Sequence, residues 1–195
     1  MSTSMNILLS GVGGQGTVLA SKLLARCAIA RGEAAHTAET IGMAQRGGCV
    51  TSHVRIGKCF SPMIPKGCAD AIIAFEPAEA VRCLDFLKEG GWVIVSSAAI
   101  KPVTDTLSAS GYSGEPMVEY LRNLPVRLIC VNGEEIARAC GSAKVLNMAL
   151  LGAAAASGAI GISPEELENA VANLSPKFRD ANCMAIRMGV VAAGN

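Results

Sequence analysis

Short apolar runs alternate along the chain with longer segments in which apolar residues recur at helical spacing. Apolar or alternating runs of four to eight residues are typical of strands that are buried in a sheet. They predict six strands, at residues 6–10, 34–38, 49–56, 70–75, 92–96 and 126–131. The helical patterns predict helices at 17–31, 77–88, 116–123, 133–140, 143–157, 163–173 and 178–191.

Strands that alternate with helices are typical of an α/β fold with a mostly parallel sheet. We therefore predict a single three-layer, Rossmann-like domain over residues 1–195, whose helical C-terminal third covers one face or one edge of the sheet. Ligands of such sheets bind at the carboxyl ends of the strands. The loops after the first three strands are accordingly expected to form the working edge.

Local signals predict where two of the helices begin or end. Pro77 suits a first helical turn, and the pair Gly90-Gly91 is expected to stop that helix after Lys88. Ser163 and Glu166 have the spacing of a capping box, in which each side chain bonds to the other residue's backbone N–H.

The composition excludes several classes of protein. The 195 residues are 51% hydrophobic and 17% charged, whereas disordered chains are poor in apolar residues. A net charge of +1 and an aromatic content of 4% provide neither the positive field nor the stacking surfaces that nucleic-acid binding requires. The long uncharged segment 145–164 is rich in alanine and glycine, so we predict a buried helix there and no membrane span.

The eight cysteines are irregularly spaced, and no two of them form a Cys-x-x-Cys motif. This spacing fits neither a zinc knuckle nor a ferredoxin-type cluster, so no metal ligand is assigned. The N-terminus also lacks the basic region of a signal peptide. We therefore predict reduced, mostly buried thiols in a cytoplasmic protein.

A glycine-rich loop connects the first predicted strand to the first helix and contains the pattern Gly-x-Gly-x-x-Gly. Glycine lets a backbone approach a ligand closely, and the helix N-terminus that follows favours a phosphate. The candidate ligand-binding residues of this loop are Gly11, Gly13, Gly14, Gln15 and Gly16. The alternative is that the glycines only allow a tight turn and close helix–strand packing.

Glu39 lies 23 residues after Gly16, near the end of the second predicted strand. Dinucleotide-binding folds place an acid there to bind a ribose hydroxyl, although an acid at a strand end can equally be solvated. Taken alone, the loop and Glu39 suggest a stand-alone NAD(P)- or flavin-dependent oxidoreductase. The doubled glycine also resembles enzymes that adenylate ubiquitin-like proteins, but their paired Cys-x-x-Cys zinc site is missing.

A second polar segment leads from the second strand into the third. An arginine beside two glycines can present a fork of donors together with backbone amides, which suits a phosphate or a carboxylate. The candidate ligand-binding residues here are Gln45, Arg46, Gly47, Gly48 and Ser52. The alternative is that Arg46 pairs with Glu39 or with an acid of a neighbouring chain.

His36 and His53 are the two histidines of the chain. Either could act as a general base, but a histidine without further partners in the sequence is more often a hydrogen-bonded structural residue. We therefore assign no catalytic residue.

Together these motifs resemble the gamma-type domain of 2-oxoacid:ferredoxin oxidoreductases over nearly the whole chain. Within that family they are most similar to the beta subunits of enzymes that oxidise indolepyruvate and related arylpyruvates. The segment 104–115 matches least. The segments that carry the resemblance are 11–16, 42–48, 52–55, 61–65, 69–70, 75–80, 147–152 and 175–178.

The resemblance implies a reaction in which an arylpyruvate, coenzyme A and oxidised ferredoxin give an aryl-acetyl-CoA, carbon dioxide and reduced ferredoxin. It also implies that thiamine diphosphate and the iron–sulfur clusters belong to a larger alpha subunit. Consistent with this division, the chain lacks the Gly-Asp-Gly that opens a thiamine-diphosphate motif. We therefore expect a non-redox subunit that binds no cofactor alone, docks on the alpha subunit and meets ferredoxin through the complex. A stand-alone oxidoreductase and a non-enzymatic scaffold are the alternatives.

The distribution of charge adds to this expectation. Residues 1–75 contain seven basic and three acidic residues, a net charge of +4, whereas residues 76–195 have a net charge of −3. A positive region around the first strand ends suits a polyphosphate such as coenzyme A, and it equally suits an acidic patch on a partner.

Overall fold

The computed structural model describes residues 4–41, 49–100, 112–172 and 178–194. Within these ranges the strands are β1 Met5–Val12, β2 Ala35–Ile41, β3 Cys49–Ile56, β4 Ala69–Ala74, β5 Leu87–Ser96 and β6 Arg127–Val131. The α-helices there are α1 Thr17–Ala30, α2 Pro77–Arg82, α3 Glu115–Arg122, α4 Gly133–Ala139, α5 Leu146–Ala156, α6 Pro164–Ala172 and α7 Arg179–Ala193. Two short 3-10 helices lie at Leu84–Phe86 and Ala143–Val145.

The strands form one six-stranded sheet in the order β2-β3-β1-β4-β5-β6. β1, β4, β5 and β6 pair in parallel, and β3 lies antiparallel between β1 and β2. The predicted α/β fold with a mostly parallel sheet is therefore confirmed. The prediction for the third loop is wrong. Because β3 runs against its neighbours, the loop after it lies at the edge opposite the glycine loop.

Each face of the sheet has its own apolar core, which gives the predicted three layers. On the first face, Ile7 and Leu9 of β1 are packed with buried residues of α1, α5, α6 and α7. On the second face, Leu8 of β1 is packed with buried residues of α2 and α3. The helical C-terminal third thus covers the first face, since successive strand residues point to opposite sides.

Helix α5 is held against α7 by direct backbone contact. A Cβ added to Gly189 of α7 would overlap the carbonyl oxygen of Ala149, and one added to Gly152 of α5 would overlap the carbonyl oxygen of Ile186. Small residues at both positions let the two helices approach this closely. The position of the start of α5, which borders the site described below, is fixed by this contact.

A helix was predicted over 143–157, in a segment expected to be buried. The observed helix there is α5, and most of its residues are buried. Within the ranges given above, the structure contains no helix with the length and apolar character needed to cross a bilayer.

The helix that starts at Pro77 is shorter than predicted. It ends at Arg82, and Gly90 and Gly91, which were expected to stop it, lie inside β5. The β4–β5 register passes from Ala69 opposite Leu87 to Ala71 opposite Trp92, so the residues between interrupt the ladder. Pairing with β4 therefore decides the structure here, and the glycine pair accommodates an irregular strand.

The predicted capping box is confirmed. The backbone N–H of Glu166 donates to Ser163 Oγ at 3.3 Å, and the backbone N–H of Ser163 donates to Glu166 Oε2 at 2.7 Å. Both bonds are local, so the sequence alone is sufficient to specify the start of α6.

Candidate functional site

A groove of about 610 Å³ lies beside the glycine loop, at the carboxyl edge of the parallel strands. Its walls come from the loop between β1 and α1, the segment after β5, the first residues of α4 and the segment that leads into α5. Of the residues predicted to bind a ligand, Gly13, Gly14, Gln15 and Gly16 line it. The glycine loop thus connects a strand to a helix, as predicted, and borders a space large enough for a cofactor-sized molecule.

The side-chain amide of Gln15 fixes the shape of the glycine loop. Its Oε1 accepts a hydrogen bond from the backbone N–H of Val12 at 2.7 Å. Its Nε2 donates to the carbonyl of Phe75, just beyond β4, at 2.9 Å. A Cβ on Gly11 would lie 2.7 Å from Gln15 Oε1, so glycine makes room for the amide. The two polar atoms of Gln15 are therefore engaged within the chain.

Asn147 closes the loop from the other side. Its side chain is 2% exposed, its Nδ2 donates to the carbonyl of Gly16 at 3.5 Å, and its Oδ1 accepts from the N–H of Met148 at 2.9 Å. Asn147 was not among the predicted site residues, although the segment 147–152 carries part of the family resemblance. The available signal was a single amide side chain at the start of a strongly apolar helix.

The N-terminus of α1 faces the glycine loop without a side-chain cap. Gly16 occupies the N-cap position with a φ of 87° and has no side chain to form a cap hydrogen bond, and the first turn contains no acid. Free N–H groups and the helix dipole favour an anion at such an end. The groove contains two charged lining residues within the described part of the chain, Lys144 and Glu134. Lys144 adds to the attraction of an anion, and Glu134 opposes it.

Glu39 and Ser52 lie away from the groove. They are opposite each other on β2 and β3, and neither lines it. Dinucleotide-binding folds place the acidic strand next to the glycine strand, whereas here β3 separates β2 from β1. Two strand spacings put Glu39 roughly 10 Å from β1. The hydroxyl of Ser52 is buried, with no hydrogen-bond partner in the described part of the structure.

The remaining candidates, Gln45, Arg46, Gly47 and Gly48, lie outside the described residues. Their roles stay predictions, and so does the alternative that Arg46 pairs with Glu39.

His53 has the surroundings of a structural histidine. It is 1% exposed, its Nδ1 accepts from the backbone N–H of Ile64 at 3.2 Å, and its ring meets the ring of Phe86 edge-on at 5.7 Å between centroids. Burial lowers its pKa below the ordinary value. The imidazole therefore serves as a neutral hydrogen-bond acceptor, and it lies on the second face of the sheet beside Leu8.

Two buried glutamates at the start of α2 form a polar cluster that sequence reasoning did not single out. Glu76 caps α2 by accepting from the backbone N–H of Glu79 at 3.1 Å, and its other oxygen accepts from the hydroxyl of Tyr112. Burial and this carboxylate raise the pKa of the Tyr112 hydroxyl, which remains a donor. The cluster anchors Tyr112 to the second face of the sheet.

Glu79 is only partly satisfied. One carboxylate oxygen pairs with Arg82 at 3.3 Å, whereas Oε2 is buried without a partner among the described residues. Burial, together with Glu79, raises the pKa of the Cys49 thiol to about 12. Cys49 is therefore a protonated thiol rather than a nucleophile.

Comparison with known proteins identifies the family. Residues 6–192 match the family model described as pyruvate ferredoxin/flavodoxin oxidoreductase. The chain belongs to this family. The indolepyruvate oxidoreductase subunit IorB of Archaeoglobus fulgidus is 40% identical over 187 residues, which cover 95% of this chain and 93% of that protein. The subunit of the same name from Methanothermobacter thermautotrophicus is 38% identical over 192 residues, with coverages of 96% and 97%.

A solved structure agrees. The gamma subunit of a keto/oxoacid ferredoxin oxidoreductase from Geobacter sulfurreducens has a TM-score of 0.70 and 27% identity, and the match covers 97% of this chain and 98% of that one. The family that the motifs predicted is therefore confirmed. So is the expectation that the chain is a subunit of a 2-oxoacid ferredoxin oxidoreductase.

The contact between Gly16 and Asn147 can be tested with two alanine variants. Gly14 and Gly16 both have left-handed φ angles, of 95° and 87°, which cost an alanine about 1–2 kcal/mol. At Gly16 the Cβ would also meet a side chain, at 2.7 Å from Asn147 Nδ2, whereas at Gly14 no atom of the described residues lies within 4 Å. Gly16→Ala should therefore lower the free energy of unfolding in urea by about 1 kcal/mol more than Gly14→Ala. Equal losses would contradict the contact.

The buried His53 predicts a loss of stability in acid. Because its folded-state pKa is lowered, the stability it contributes is present above the unfolded-state value near 6.5 and is lost as the pH falls through that region. Between about pH 7.5 and 5.5, the urea midpoint of the natural chain should fall further than that of His53→Asn, which keeps an acceptor but does not titrate. Parallel pH profiles for the two proteins would disprove the assignment.

Proposed function

We propose that this chain is the non-redox subunit of an indolepyruvate, or closely related arylpyruvate, ferredoxin oxidoreductase. It supports the CoA-dependent oxidative decarboxylation of 2-oxo acids in a complex with a larger alpha subunit. The observation that carries the proposal is the 40% identity to an indolepyruvate oxidoreductase subunit across 95% of this chain and 93% of that subunit. A match of this length includes both the glycine loop and the helices that surround the groove.

Thiamine diphosphate and the iron–sulfur clusters lie in the alpha subunit, which transfers electrons to ferredoxin. The buried cysteines are consistent with that division, because cluster ligands are thiolates and burial disfavours the thiolate form. Burial raises the pKa of Cys27 to about 11, and it also raises those of Cys83 and Cys130. The prediction of mostly buried thiols is wrong, because only Cys27 and Cys83 of the eight free cysteines are fully buried. We assign the complex to the reducing cytoplasm, where thiols stay free.

The groove beside the glycine loop holds the phosphate-bearing part of coenzyme A. Its supporting features are the uncapped start of α1, the lining glycines and Lys144. Glu134, which also lines the groove, disfavours a second anionic group beside it. The segment with Gln45, Arg46, Gly47 and Gly48 belongs to the same proposal, since its arginine and backbone amides suit phosphate.

Purification of the tagged chain from its host tests the subunit assignment. A larger polypeptide with the visible absorption of iron–sulfur clusters should co-purify, and the complex should oxidise indolepyruvate only when coenzyme A is added. The separated chain should show no such activity, because its sequence has neither cluster-spaced cysteines nor the Gly-Asp-Gly of a thiamine-diphosphate motif. Oxidation of a 2-oxo acid by the separated chain would refute the proposal.

The two alternatives predict different results. Tight binding of NAD(H) to the isolated chain in a calorimetric titration would favour a stand-alone oxidoreductase. Recovery of an unrelated partner without clusters would favour a non-enzymatic scaffold.

The coenzyme A groove is tested by Lys144→Met in the reconstituted complex. Loss of a charge-assisted contact to phosphate should raise KM for coenzyme A about fivefold and leave kcat near its original value. Lys22→Met is the matched control, because Lys22 is an exposed residue of α1 that does not line the groove. Equal KM values for the two variants would remove Lys144 from the site.

A further inference from the structure

Phe60 lies in the loop between β3 and β4, and its side chain is completely exposed. The same loop exposes Met63. An exposed phenyl ring contributes no burial free energy to the stability of the fold, because the hydrophobic effect favours removal of apolar surface from water. An exposed aromatic side chain of this kind is a frequent anchor of protein–protein interfaces.

Arg55 holds the backbone on the C-terminal side of Phe60 in place. Its Nη1 donates to the carbonyls of Ser61 at 2.9 Å and Met63 at 3.3 Å. Its Nε donates to Asn6 Oδ1 on β1 at 2.8 Å. The guanidinium thus connects the loop to β1.

The rest of the loop is tied down as well. The side chain of Ile64 is buried, and its N–H donates to His53. Nearer β4, the N–H of Gly67 donates to the carbonyl of Asp85 at 2.8 Å, and Lys66 pairs with the Asp85 carboxylate at 2.9 Å. These contacts hold the part of the loop that follows Phe60, which reduces the conformational entropy that binding must remove.

The charge of the loop indicates the chemistry of its partner. Residues 57–68 contain two lysines and no acid. Lys66 is already paired with Asp85, whereas Lys58 is exposed and has no ion pair among the described residues. A complementary surface therefore has an apolar pocket for the ring and at least one carboxylate beside it.

We propose that residues 57–68 are a preformed docking loop for the large subunit of the oxidoreductase, with Phe60 as its anchor. This inference rests on the proposed function, which supplies a partner other than a second copy. Two copies that each inserted Phe60 into the other would form a closed two-fold dimer, and the exchange experiment below distinguishes that outcome. The large subunit accordingly presents an apolar pocket edged by carboxylates to this loop.

The docking loop lies at the edge of the sheet opposite the groove. Ile56, where β3 ends, is opposite Met5 at the start of β1, whereas the glycine loop follows the end of β1. Docking through Phe60 therefore leaves the groove accessible, and the chain can contact its partner and a ligand at the same time.

Subunit exchange tests the proposal with the assembled complex. The complex is prepared with a labelled chain and challenged with unlabelled full-length variants. Phe60→Ala should need about 10- to 100-fold more competitor than the natural chain for half-displacement. Its thermal midpoint should be unchanged, because the ring is fully exposed. Tyr120→Ala is the control, since Tyr120 is an exposed aromatic residue on α3, and it should compete like the natural chain.

The role of Arg55 as a positioning residue has its own readout. Arg55→Lys should raise the half-displacement concentration about fivefold, because a lysine cannot bond to Asn6 and the loop carbonyls together. In the Phe60→Ala background the same change should have no further effect on competition. If Arg55 had a purely structural role, Arg55→Lys would weaken competition by the same factor with and without Phe60→Ala.

The outcomes separate this inference from the proposed function. If the natural chain forms no complex with a large cluster-containing subunit, the proposed function fails and takes the inference with it. If the complex forms and Phe60→Ala competes like the natural chain, the docking loop is wrong and the proposed function stands. A lone chain that self-associates through Phe60, with normal competition by Phe60→Ala, would identify a second copy as the occupant and also overturn the inference.

Discussion

The hydrogen bonds of Gln15 connect the glycine loop to the ends of two adjacent parallel strands, and the candidate site depends on this connection. The side-chain amide of Gln15 accepts from the backbone N–H of Val12 at the end of β1 and donates to the carbonyl of Phe75 after β4. Because α1 begins immediately after Gly16, fixing the loop also fixes where the helix N-terminus points. Asn147 completes the arrangement from α5, which is itself held by close contact with α7.

The antiparallel strand β3 separates the surfaces of the molecule. It reverses the chain, so the loop that carries Phe60 is brought to one edge of the sheet while the groove occupies the other. It also moves β2 away from β1, which removes Glu39 from the place that a ribose-binding acid would occupy. The groove and the exposed loop therefore lie at opposite edges of the sheet and do not compete for space.

Features that depend on neighbouring residues were predicted correctly, whereas features that depend on distant residues were not. The capping box at Ser163 was predicted because both of its hydrogen bonds lie within four consecutive residues. The end of α2 was not predicted, because a pair of glycines is compatible both with the end of a helix and with an irregular strand. Pairing of β5 with β4 decides that Gly90 and Gly91 lie in the strand. The direction of β3 was also missed, because the alternation of apolar and polar residues is the same for either direction of a strand.

The alternation of strands and helices and the glycine loop between β1 and α1 were predictable, because they depend on residues that are close together along the chain. The family was predictable for another reason, since its motifs are spread over nearly the whole chain. The internal use of the Gln15 amide, the contact of Asn147 with Gly16 across 131 residues and the exposure of Phe60 became evident only in the folded chain. Strand order and hydrogen-bond partners are set by contacts between distant residues, which no local pattern specifies.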